Sequence, residues 1–165
     1  AIGFSSALLS MVGQNYGAKK FDRIYTAFII SLRISIYMMI FGACILFFAG
    51  ETIALLFSRD KNVIMIAGNY LFMAAFLCFI YQIIDRSDSV LSGMRKPIVN
   101  VIYTFIRLVM LPPFVIYLFS ENLKYGLNGI WWAIFATNAF GAVLIYINMR
   151  YLYKKEYSKS LIKIT

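Results

Sequence analysis

The sequence predicts an all-α membrane protein, a polytopic helical bundle with four complete transmembrane helices plus the end of a preceding one. Three observations carry that prediction. Of 165 residues, 62% are hydrophobic, far above the share a water-soluble domain of this size uses. The apolar residues fall in long blocks separated by short charged loops, the pattern of membrane spans. A helix apolar all round needs a large core or lipid, and 165 residues are too few to bury four such helices in a soluble core.

The charge balance fits this class. The formal net charge is +9, which in a soluble domain would suggest nucleic acid. Here Lys and Arg sit mostly in loops and at the C-terminal end, so topology and anionic headgroups explain them, and no nucleic-acid partner is expected. With no histidine in the chain, His-based triads and His metal sites are excluded. Cys44 and Cys78 lie inside apolar runs, where cysteine acts as a small hydrophobe, and no metal is firmly assigned. No nucleophile–base pair or phosphate loop appears, so no enzyme is expected.

Taken in order, AIGFSSALLSMV is too short to span a bilayer. It has no basic n-region or cleavage site, and it reads as the end of a helix begun upstream. The chain is therefore expected to be the C-terminal part of a larger protein. GQNYGAKKFDR follows, where two glycines and an Asn should loosen the helix into a charged turn. The spans are expected at about 24–50, 62–92, 98–119 and 127–149, with a basic cytoplasmic tail at 150–165. Arg33 lies about ten residues into the first span and is expected to snorkel. Pro112 and Pro113 should kink the third span, in which Arg107 is embedded. Trp131 and Trp132 open the fourth at an interface.

Lys and Arg counts set the orientation. Lys19, Lys20 and Arg23, then Arg86, Arg95 and Lys96, then Arg150, Lys154, Lys155, Lys159 and Lys163 make eleven on one side. Arg59, Lys61 and Lys124 make three on the other. The first group should face the cytoplasm, with both ends of the chain inside.

The chemistry concentrates between Asn62 and Pro97. An apolar run passes without Pro or Gly from Asn69 into DRSDSV. On a helix, Tyr81, Asp85, Asp88 and Ser92 form one polar stripe. Gln82, Arg86, Ser89 and Gly93 form the next, and Phe79, Ile83, Val90 and Met94 the apolar face. A carboxylate at membrane depth is costly and points to function, since it can bind Na⁺ or take a proton. The other reading is that the bilayer ends at Ile84, because Val63 to Ile84 already covers about 30 Å. Asn69 is expected to bond a neighbouring helix, and Gly42, Ala43, Gly141 and Ala142 to permit close packing.

Four motifs carry a resemblance. GQNYGA (Gly13, Gln14, Asn15, Gly17 and Ala18), LFSRDKNV, VLSGMRKP and GLNGIWWA follow one another as do the corresponding segments in the C-terminal half of the multidrug and toxic compound extrusion family. The resemblance covers nearly the whole chain. It implies part of a twelve-helix, two-lobe secondary transporter in the plasma (inner) membrane, whose partners are the lipid bilayer and a missing N-terminal lobe. It implies export of cationic or amphipathic small molecules in exchange for Na⁺ or H⁺, with no cofactor beyond that ion. Tyr81 and Asp85 match the Tyr and Asp, four apart, that contribute to a coupling-ion site in one branch of the family; Na⁺ at Asp85 is the implied ligand. Two departures stand out: Arg86 follows Asp85 directly and can compete with a cation, and Asp88 stands where that branch has Gln. The competing expectations are a lipid-linked oligosaccharide flippase of the same superfamily and a non-transporting four-helix scaffold.

Overall fold

A computed structural model describes residues 2–57, 59–119 and 126–162, without the side chains of 2, 51, 127 and 159–162. Ser58, the loop residue Lys124 and the tail residue Lys163 lie outside the described residues, as does the side chain of Lys159. The described chain is helical almost throughout. In order come α1 (Ile2–Gly17), α2 (Phe21–Leu55), α3 (Lys61–Gly93), α4 (Pro97–Phe105), a π-helical segment (Ile106–Met110), α5 (Leu111–Tyr117) and α6 (Gly126–Ile162). Four stretches are long and apolar enough to cross a membrane: Phe21–Gly50, Lys61–Gly93, Pro97–Tyr117 and Asn128–Ser158. The central element is α3, which packs against α1, α2, α4 and α6.

The helix ends follow from local chemistry. Asp60 caps α3, its carboxylate accepting the Asn62 N–H at 2.8 Å, as N-cap acids do. Pro97 starts α4, where its missing N–H costs nothing. α1 and α3 end alike. Lys19 and Arg95 take left-handed φ values of 57° and 61°. Past each, the next residue reaches back, Lys20 N–H to Asn15 C=O and Lys96 N–H to Leu91 C=O, both 2.9 Å. This Schellman closure satisfies the last carbonyls, and a basic residue there meets the negative end of the helix dipole.

The buried core lies at the end of the bundle that holds these two turns. Leu8 and Val12 of α1, Ile24 and Phe28 of α2, and Leu91 and Met94 of α3 are its most enclosed members, with Ile145 and Met149 of α6 beside them. At the far end the spans expose large apolar side chains, including Phe48, Leu56 and Phe57 at 82%, 81% and 87%. Such surface is unstable in water and ordinary against lipid or further helices.

The structure corrects some expectations and refines others. Gly13, Gln14, Asn15 and Gly17 do not form a loosened turn: α1 stays helical through Gly17, and the Asn15 amide donates to the Met11 carbonyl at 2.7 Å. The helix stops instead at the left-handed Lys19. Pro112 and Pro113 lie within one candidate span, Pro97–Tyr117. The caps around them keep right-handed helical angles, and the Leu111 N–H bonds the Ile106 carbonyl five residues back. A π-helical stretch thus lies directly before the two prolines. The described part of the expected tail, residues 150–162, is helical: α6 continues to Ile162 and docks. Lys96 Nζ donates to Glu156 Oε1 at 2.8 Å and the Tyr16 hydroxyl to Glu156 Oε2 at 3.4 Å. The Tyr153 hydroxyl donates to the Phe21 carbonyl at 3.1 Å, and Tyr153 and Tyr157 stack while meeting the Phe21 ring edge-on. Arg33 and Asn69 are exposed on the chain's own surface, so Asn69 does not sit between these helices.

Candidate functional site

The last third of α3 holds the polar groups, and it is helical to Gly93. At 1.5 Å per residue, Asp85 and Asp88 lie about 12 and 8 Å inside that end. The DRSDS segment is therefore part of the bundle, and Arg86 and Ser87 within it are fully buried. Asp85, Asp88, Ser89 and Ser92 line an open groove of about 230 Å³, closed on its other side by Ser5, Ser6 and Leu9 of α1. The Ser89 hydroxyl donates to the Asp85 carbonyl at 2.8 Å, which leaves its oxygen able to accept or coordinate.

Asp88 also meets α4. With its amide oriented to satisfy both ends, Asn100 donates to Asp88 Oδ1 and Oδ2 at 2.9 and 3.1 Å and to the Thr104 hydroxyl at 3.2 Å. Seven residues further along the same span, in the π-helical segment, the Arg107 guanidinium lies over the Tyr81 ring, 5.8 Å from its centroid. Arg107 Nη1 donates to Asn138 Oδ1 of α6 at 2.8 Å. Asn138, in turn, is fixed by donating to the Ile134 carbonyl at 2.7 Å.

The predicted polar stripe is thus split. Asp85, Asp88 and Ser92 share the groove, and Ser89 joins them from the neighbouring stripe. Tyr81 lies a turn deeper and serves as the platform for Arg107. Gln82, Arg86 and Gly93 turn into the protein. Arg86 Nη2 donates to Gln82 Oε1 at 3.1 Å, so this guanidinium is aimed along its own helix into the core and not across the mouth of the groove. Adjacent helical positions diverge by about 100°, so Arg86 lies beside Asp85 on the core side of the helix and acts on it by charge from there. Gly13, Gln14, Asn15, Gly17 and Ala18 do not reach the groove. They close α1, where Val12 and Gly13 pack side by side against Gly93 of α3.

Sequence reasoning missed Ser5 and Ser6, whose helix was read only as a truncated end, and Asn100. The signal for Asn100 was available: Asn100, Thr104 and Arg107 share one face at spacings of four and three. Of the small residues, Gly141 and Ala142 are buried as expected. A methyl group on Gly141 would lie 2.7 Å from Arg107 Cδ. Gly42, in contrast, has nothing within 4 Å.

Comparison with known proteins agrees with this architecture. The chain is 24% identical over 155 residues to a probable multidrug resistance protein NorM of Bacillus licheniformis, a match covering 90% of this chain and 33% of that protein. Its fold matches a multidrug resistance MATE family transporter of the MOP superfamily in the inward-facing conformation, with a TM-score of 0.88 at 17% identity, covering 94% of this chain and 36% of the other. It also matches a MATE structure in the bent conformation, with a TM-score of 0.89 at 18% identity, covering 97% and 35%. The chain spans about a third of the length of these relatives. Residues 1–118 match the MatE family model, and with the helix order and the acidic groove of α3 in place, this chain belongs to the MatE family.

Proposed function

We propose that the chain forms part of a secondary active multidrug exporter, in which the α3 groove binds the coupling ion. The whole assembly would be the two-lobe, twelve-helix transporter of the plasma membrane, exchanging a cationic or amphipathic compound for Na⁺ or H⁺, with α6 ending in the cytoplasm. The observation that carries this reading is the pair of carboxylates, Asp85 and Asp88, in one open groove with serine hydroxyls. Ionisable groups held at this depth are expensive, and they persist where they meet an ion pathway. Carboxylate and hydroxyl oxygens are hard donors suited to Na⁺, and a carboxylate also takes a proton. Either event removes negative charge from the groove, and that change can bias an alternating-access equilibrium.

The fold comparison supports a rigid-body role. The chain matches an inward-facing and an outward-facing MATE structure equally, with TM-scores of 0.88 to both. A unit that keeps its shape in both states is what rocking of one lobe against the other requires. In the full-length protein, Asp85→Asn is expected to abolish ion-coupled efflux at normal expression. Unchanged efflux would remove Asp85 from the mechanism.

A further inference from the structure

The contacts between α3 and α4 fall in one antiparallel register. Asn100 pairs with Asp88, and Arg107 lies over Tyr81. Seven residues along the third span, from α4 into the π-helical segment, are matched by seven back along α3, so the second pair lies about 10 Å deeper. The same register brings Thr104 level with Ile84 and Asp85. Arg107 is half-buried, and three contacts hold it: the Asn138 side-chain amide oxygen, the Tyr81 ring and the bare backbone of Gly141 under its stem. It also sits in the π-helical segment, a geometry that recurs at functional sites and lets a turn shift register. From α3 it faces Tyr81, with Asp85 and Asp88 above and Arg86 behind them; from α6 it faces Asn138.

Resting on the ion-coupled reading above, we propose that Arg107 is a tethered internal cation of the acidic groove. It offsets part of the carboxylate charge while the groove is empty, and it sets how tightly the driving ion binds. Asn138 and Tyr81 hold the guanidinium about two turns from Asp88, too far to occupy the groove and near enough to act on it. Removing the charge leaves the two carboxylates with only Arg86 as a nearby cation and tightens cation binding. Removing the tether lets the side chain swing toward Asp85 and Asp88, where it competes with the cation and weakens binding.

The test measures dye efflux by the full-length protein in proteoliposomes, reading the half-saturating Na⁺ concentration or, for proton drive, the midpoint pH. A unit charge at about 10 Å in a medium of effective dielectric about 20 changes a cation's affinity roughly tenfold. Arg107→Gln is expected to lower the half-saturating Na⁺ about tenfold, or raise the midpoint by about one pH unit. Arg107→Lys is expected to stay near wild type, and Asn138→Ala to move the value the opposite way. Opposite signs separate the proposal from a structural role, which would lower maximal efflux and thermal stability in both variants. Should Arg107→Gln fail to fold, the sign for Asn138→Ala decides alone. The proposal is overturned if Arg107→Gln leaves the value unchanged, or if both variants move it the same way, while Asp85→Asn and Asp88→Asn abolish ion dependence. If neither aspartate variant alters ion dependence, the groove is not the coupling site, and the reading beneath the proposal fails.

Discussion

Gly93→Ala tests the joint between α1 and α3. A Cβ at Gly93 would lie 2.6 Å from Val12 Cγ1, 2.7 Å from Val12 Cβ and 3.1 Å from the Leu9 carbonyl oxygen. Ordinary contact begins at 3.4 Å, so the helices must part by about 0.8 Å. Val12 cannot turn aside, because it is fully buried with Leu8 and Leu91 around it. Overpacking of this kind costs about 1–3 kcal/mol. The displacement also reaches the groove, since Ser5, Ser6 and Leu9 on α1 face Asp85 and Asp88. Thermal unfolding of the full-length protein in detergent should show a lowered midpoint for Gly93→Ala, together with reduced efflux. Gly42→Ala is the control: nothing lies within 4 Å of its Cβ position, and a helical Gly-to-Ala change there should be neutral or mildly stabilising. A Gly93→Ala midpoint at or above wild type would refute the close approach of α1 and α3.

The two left-handed residues give a second prediction. Arg95→Gly should stabilise by about 1 kcal/mol by relieving its φ of 61°, whereas Arg95→Val should destabilise; equal midpoints for both would contradict the Schellman turn. Glu156→Gln should weaken docking of the α6 extension by about 1 kcal/mol, since its bridge to Lys96 is only partly exposed; protease cleavage after the exposed Lys154 and Lys155 should then quicken. With Cys44 and Cys78 replaced by Ala, Lys19→Cys should be labelled from the cytoplasm and Lys61→Cys from outside. Labelling of Lys61→Cys only from inside would invert the topology.

The spans were legible because a bilayer demands about 20 apolar residues per crossing, and the blocks before Gly50 and between Asn62 and Ile84 meet that demand without help from packing. The acidic pair was legible for the complementary reason, that carboxylates following such a run are costly. What escaped depends on which helices become neighbours. Nothing local tells that Ser5 and Ser6 face Asp85, or that Arg107 reaches both Tyr81 and Asn138. GQNYGA was misread as a turn because its glycines weaken a helix only modestly, and the bond from Asn15 to Met11 keeps α1 intact. The basic C-terminal stretch was read by its charge, yet Tyr153 and Tyr157 interleave with its lysines at helical spacing and dock it on Phe21.

The central claim is that an ion gradient acting through the α3 groove drives export. The most direct measurement follows efflux of a fluorescent cationic dye from cells expressing the full-length protein, collapsing the Na⁺ gradient and then the proton gradient. The account predicts that efflux stops when one of the two is collapsed, and that Asp85→Asn reproduces that loss with both gradients intact. Dye export that persists when each gradient is collapsed in turn, or no dye export under any condition, would contradict it.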